Sequence, residues 1–149
     1  MRQGRVLPPT YFFASLGLMA VLAFVAPIAA VFPWPWRAAG LIPIAAGVWL
    51  NLAAVRAFKA RGTTVKPFEQ SSALVTDGVF RISRNPIYLG MALILVGIAT
   101  LIGSLSPFLV CVGFAALIHF RFIRVEERML AATFGDTWRA YRDTTRRWF

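Results

Sequence analysis

Apolar residues come along this chain in long blocks, without the alternation of a strand or the one-sided stripe of a soluble helix. Residues 11–30 carry no charge, and residues 38–55 carry none either, with Asn51 as their main polar side chain. Residues 86–102 are also uncharged, and residues 105–120 hold only the ionisable His119. Each block approaches the ~20 residues needed to cross a ~30 Å hydrocarbon core. The pattern predicts an all-α integral membrane protein with four spans, at 11–30, 38–55, 86–102 and 105–123, in a single domain over residues 1–149. The last two are short and fit a bilayer crossed with little tilt or thinned locally.

The first block follows Arg2 and Arg5 and ends in small residues, as a cleaved leader would, but it is longer than the apolar core of a signal peptide. It is read as a retained span. Between the first two spans, Trp34 and Trp36 among prolines mark an interfacial turn. The five residues GSLSP between the last two predict a tight antiparallel helical hairpin. Residues 61–79 form the longest polar stretch, a loop with a short helical or strand-like piece. A structureless loop of that length is commonly functional. After residue 123 an amphipathic helix is expected to continue and stop at Gly135. A second short helix, 136–142, would start with Asp136 as its N-cap and carry Trp138 and Tyr141 on one face.

Charge adds an orientation. The net charge is +10. Of the sixteen Lys and Arg residues, only Arg37 falls between the first and second spans, and none falls between the third and fourth. The other fifteen share the opposite side, so the positive-inside rule puts both termini and the long middle loop in the cytoplasm. This bias accounts for the basic excess by topology and by attraction to anionic membrane lipids, not by nucleic-acid binding. Composition rich in Arg and Ala points to a bacterial inner membrane. The single cysteine, Cys111, excludes an internal disulfide, and with one histidine no clustered Cys or His metal site is available. Cys111 reads as an inert buried thiol, and His119 as a packed side chain hydrogen-bonded between helices.

The polar residues left outside the spans are too few and too scattered for a nucleotide-binding domain, and no GxGxxG pattern occurs. A polar cofactor would have to be held by helix ends and loops at the basic membrane face. Two places offer the groups. In GVFRISRNPIYLG, Pro86 suits a first helical position with Asn85 as N-cap, and Arg84 beside the free amides would make an anion site. Gly90 would admit a close neighbour, either a helix or a cofactor. In EERMLAATFGDTWRAY, the adjacent Glu126 and Glu127 can accept hydrogen bonds from an ammonium or from hydroxyls. Ordinary roles compete with these: membrane anchoring for the arginines, ion pairing for the glutamates, an aromatic belt for Tyr88 and Trp138.

In this order and around a helical hairpin, the two strings resemble the isoprenylcysteine carboxyl methyltransferase and phospholipid methyltransferase group. The first motif is matched at Arg84, Asn85, Pro86, Tyr88 and Gly90, the second at Glu126, Glu127, Leu130, Phe134, Gly135, Trp138 and Tyr141, and GTTVKP upstream also resembles bacterial members. The resemblance implies an S-adenosylmethionine-dependent methyltransferase acting on a lipophilic acceptor: an isoprenylcysteine-like carboxylate, a thiol or a lipid, reached from the bilayer. It implies cofactor binding by Arg84, Asn85, Pro86, Tyr88, Gly90, Glu126, Glu127 and Tyr141, and assigns no catalytic residue. Asn85 stands where some relatives have histidine, and Val125 where many have proline. No obvious strong base is present beyond Glu126, Glu127, His119 and Tyr88, so the acceptor is expected to be one already ionised at neutral pH, which needs alignment and dehydration but no base. A non-catalytic protein retaining the fold and a small membrane reductase using a nicotinamide cofactor are the alternative readings.

Overall fold

A computed structural model describes residues 7–63 and 72–149. Arg2, Arg5 and Lys66 of the charge count, much of the 61–79 loop, and most of the GTTVKP string lie outside the described residues. The described chain is helical, with no strand and one isolated antiparallel bridge, between Ala30 and Ser104. Five α-helices follow in order: α1 (Pro8–Val25), α2 (Leu41–Ala60), α3 (Pro86–Ile102), α4 (Ser106–Ile118) and α5 (Arg124–Thr144). A 3-10 turn at Trp36–Gly40 leads into α2, another at Gly78–Arg81 precedes α3, and a π turn at His119–Ile123 joins α4 to α5.

Three helical stretches are long and apolar enough to cross a membrane: Pro8–Val25, Trp36–Ala60 and Ser106–Thr144. The 17-residue α3 is shorter. The last stretch has 39 residues, or about 58 Å at ~1.5 Å per residue, about twice a hydrocarbon core. Its apolar part ends with the π turn, and the charged, amphipathic α5 lies beyond the span. The third predicted span, 86–102, coincides with α3. The first begins and stops earlier than expected, at Pro8 and Val25, because Pro27 cannot continue the helix. The second runs to Ala60, five residues past the expected limit, so Arg56 and Lys59 ride on the helix end.

What brings α2 and α3 together is a pair of glycine contacts. A Cβ on Gly47 would stand 2.4 Å from the Gly90 carbonyl oxygen, and one on Gly90 would stand 2.7 Å from that of Gly47. Seven residues along each helix the contact repeats, with Gly40 against Gly97 at 2.3 Å and Gly97 against Gly40 at 2.4 Å. A seven-residue spacing returns to one helix face after two turns. Small residues there let two backbones approach within a membrane, where burying apolar surface supplies no drive between helices. Of the two neighbours allowed for Gly90, the structure supplies the helix.

At the end remote from the basic residues the two turns are pinned together. Gly103, at φ 79°, closes α3 in the left-handed conformation. Its carbonyl accepts from Val31 N (2.8 Å), while Leu105 N donates to Ala29 O (2.9 Å). Arg37, the lone basic residue of this side, donates to Phe32 O at 2.8 Å. The hairpin between the last spans is as tight as predicted. At the opposite end, Tyr11 and Phe12 of α1 meet Phe122 and Phe114, so α1 runs antiparallel to α4. Cys111 is buried in this core as expected. His119 departs from expectation: its ring packs edge-on to Phe120 at 4.9 Å, and among the described residues no helix gives that ring a hydrogen-bond partner.

Adding a side chain at a glycine contact should separate α2 from α3. Gly47→Val is expected to lower stability by about 1–3 kcal/mol, the usual cost of overpacking. Thermal unfolding in detergent would check this, with Gly113→Val as the control, since a Cβ there meets nothing within 4 Å.

Candidate functional site at the basic membrane face

The two motifs meet. Pro86, wholly buried, opens α3 at its first turn, which leaves Arg84 and Asn85 on the approach and Tyr88 on the first turn. On the other side, the π turn packs Phe122 and Ile123 inward, at 1% and 0% exposure, immediately before Glu126 and Glu127. Single π turns are frequent at functional sites because they re-aim the side chains that follow. Adjacent residues of a helix point ~100° apart, so the two carboxylates diverge. Glu126 turns towards α3 and accepts from the Tyr88 hydroxyl at 2.7 Å. Glu127 turns towards Arg84.

Glu127 is the better connected. Its Oε1 accepts from Arg84 Nη2 at 2.9 Å and Nε at 3.3 Å, and from Arg147 Nε at 3.0 Å. Its Oε2 accepts from Arg147 Nη2 at 2.5 Å. Arg84 has more to do: its Nη1 donates to the carbonyls of Arg142 (2.9 Å) and Thr145, and its guanidinium lies 5.8 Å from the Trp138 ring. This revises the expectation of an anion site, because Arg84 faces Glu127 and the C-terminal carbonyls and not the open amides of α3. The N-cap expectation is revised too. Asn85 makes no side-chain cap bond, and its Nδ2 donates instead to Arg147 O at 3.0 Å.

Two of those carbonyls, of Thr145 and Arg147, belong to a segment outside both motifs. Residues 145–149 cross over the approach to α3. Arg84 N donates to Arg146 O (3.0 Å), and the buried Ser83 hydroxyl donates to Arg147 O (3.2 Å). Trp148 packs against both the core around Phe114 and Phe122 and a second apolar cluster that holds Leu50, Val79 and Trp138. The segment reaches back because α5 bends at Gly135, where φ is 51° and helical backbone is interrupted. The break predicted there is present. Asp136 spends its carboxylate on Arg139 at 2.7 Å. Beyond the bend, Trp138 and Tyr141 pack with Leu50, Ala54, Val79, Phe80 and Leu89, and the Tyr141 hydroxyl donates to Phe80 O at 2.6 Å.

The two carboxyls have opposite electrostatics. Burial pushes Glu126 up to about 7, with the Tyr88 hydrogen bond pulling weakly the other way. Burial also opposes the charge of Glu127, but hydrogen bonds from Arg147 and Arg84, and their charges, outweigh it and hold Glu127 below its ordinary value. Glu127 therefore supports the fold above its unfolded pKa, and that support is lost as pH falls through its folded value. Glu126 works in reverse: its support is complete below its unfolded pKa and is lost as pH rises through about 7. A pair of neighbouring carboxyls driven apart in this way is a common mark of a functional site.

An open apolar groove of about 510 Å³ lies between α1 and α4, lined among others by Tyr11, Ala14, Leu18, Leu109, Gly113 and Phe114. Tyr11 packs edge-on to Phe122 at 5.8 Å, and Phe122 lies 6.4 Å from Tyr88. Two rings thus separate the groove from the Tyr88–Glu126 pair. No group of three or more metal-ligating side chains occurs among the described residues.

The titration of Glu126 can be read directly by infrared difference spectroscopy. The protonated carboxyl band should vanish with a midpoint of about 7, and Tyr88→Phe should move the midpoint upward by removing the bond that lowers it. A midpoint near the ordinary value of 4.5 would contradict the burial described here.

The family model of phospholipid methyltransferases matches residues 36–137, from the turn before α2 into the second half of α5. No curated protein and no solved structure matches the chain. The match covers both pairs of contacts between the motifs, Arg84 with Glu127 and Tyr88 with Glu126, and more than half of the sequence. The chain is a membrane protein that belongs to the phospholipid methyltransferase family.

Proposed function

We propose that this protein transfers a methyl group from S-adenosylmethionine to a lipid at the basic, cytoplasmic face of the membrane. One observation carries the reading: the two separated motifs converge on adjacent carboxylates, one ion-paired and one buried with a tyrosine hydroxyl. Membership of a methyltransferase family supports the reaction class.

The donor set suits the cofactor. Glu127 offers a charged carboxylate of the kind that holds an ammonium, and Asn85, Tyr88 and Glu126 offer uncharged or titratable polar atoms beside it. Bound there, S-adenosylmethionine would supply an activated methyl group, leaving the protein to align the acceptor and exclude water. Pro86, Gly90 and Tyr141 contribute by position: Pro86 starts α3, Gly90 seats it on α2, and Tyr141 ties α5 to Phe80.

Glu126 changes the expectation about the acceptor. The preference for a group already ionised assumes that no residue, Glu126 included, is a strong base. A carboxyl with a pKa of about 7 is half ionised at neutral pH, and that is where a general base works best. Glu126 is the group to accept the proton that an amine or hydroxyl loses on methylation. The groove between α1 and α4 would hold the acceptor's hydrocarbon, with its headgroup towards Tyr88.

Calorimetry of S-adenosylmethionine with the detergent-purified protein tests the reading. Saturable binding is expected in the wild type, with a loss of at least about tenfold in Glu127→Ala and in Arg84→Ala, as for removal of a charge-assisted hydrogen bond. Absence of binding by the folded wild type, in lipid as well as detergent, would leave a non-catalytic protein with this fold.

A further inference from the structure

We infer that Arg147 is a built-in competitor for the cofactor's ammonium group, held on Glu127 until the cofactor displaces it. This rests on the cofactor reading above and adds a regulation of the same site.

The two guanidiniums on Glu127 are unequal. The Arg84 side chain is 8% exposed and is committed as well to two backbone carbonyls and the face of Trp138. The Arg147 side chain is 38% exposed, and among the described residues its hydrogen bonds go to Glu127 alone. Removing Arg84 would strand the part-buried acceptors on Glu127 and Thr145, whereas Arg147, more than a third exposed, can release its charge into water more cheaply. The Oε2 atom of Glu127 has Arg147 as its only described partner. When Arg147 swings out, this oxygen becomes free to take another cation, while Arg84 still fixes the carboxylate through Oε1. An ammonium satisfies the same acceptor with the same charge.

The backbone of the C-terminal segment does not have to move for this exchange. Ser83 and Asn85 hold the carbonyl of Arg147, and Arg84 N holds that of Arg146. The segment stays strapped over the start of α3 while one side chain leaves. Arg147 then acts as a positioning residue with two states. Without cofactor it keeps Glu127 charged and aimed, and with cofactor it gives way.

The test compares binding of S-adenosylmethionine and of 5′-methylthioadenosine, which lacks the amino-acid portion, by calorimetry to wild type, Arg147→Gln and Arg147→Lys. Arg147→Gln should bind S-adenosylmethionine roughly two- to fivefold more tightly, the range set by an ion pair with one solvent-exposed partner. Methylthioadenosine should bind both proteins equally, and Arg147→Lys should return affinity towards the wild type. Equal or weaker binding of S-adenosylmethionine by Arg147→Gln, with the wild type binding normally, would overturn the competitor role and leave the cofactor reading standing. Equal tightening for both ligands would also overturn it, since that would mark general loosening of the segment. Failure of every protein to bind either ligand would overturn both readings.

Discussion

The carboxylate of Glu127, held between two guanidiniums, is the contact on which the rest of the site depends. It joins parts of the chain that lie 43 and 20 residues away, the approach to α3 and the C-terminal segment. A partly buried carboxylate is costly unless its oxygens are satisfied, and so is a guanidinium at 8% exposure. Each needs the other, and Arg84 is held in addition by the carbonyls of Arg142 and Thr145 beyond the bend. The bend at Gly135 and the strap over α3 follow from that requirement.

The spanning helices serve this arrangement by fixing heights. The glycine contacts set α3 against α2, and the pinned turns at the far end set α3 and α4 against the end of α1. With those positions settled, Tyr88 on the first turn of α3 and Glu126 just past the π turn come level, at hydrogen-bond distance. Inserting or deleting one residue in α4 would swing Glu126 ~100° away from Tyr88, since a helix transmits such a shift to everything after it. The π turn is where that register is set.

Much of this could be read from the residues. The uncharged blocks located the helices because hydrocarbon admits no charge without a partner, and α3 was bounded by its own Pro86 and Gly103. The borders of α1 and α2 were less legible, since Pro27 ends a helix that composition alone would carry to residue 30, and a membrane-facing helix can run on into charged residues. Both motifs were visible as strings, but their partners were not. Nothing local in Arg147 distinguishes it from Arg146, and its role comes from a bend twelve residues earlier. The spacing of seven between Gly40 and Gly47, matched by Gly90 and Gly97, is a signal of this contact that lies in the sequence. Glu126 and Glu127 look alike in the sequence, and burial beside Tyr88 on one side and two arginines on the other makes them chemically different.

Methylation of a lipid at this face, with Glu126 receiving the acceptor's proton, is tested by reconstituting the protein in vesicles of amine-headgroup and hydroxyl-headgroup phospholipids, supplying S-adenosylmethionine with a labelled methyl group, and extracting the lipid. Label is expected in the lipid of one headgroup class with wild-type protein, and little with a Glu126→Gln variant that still binds the cofactor. Wild-type protein that binds the cofactor but leaves both lipid classes unlabelled, or a Glu126→Gln variant as active as the wild type, would contradict it.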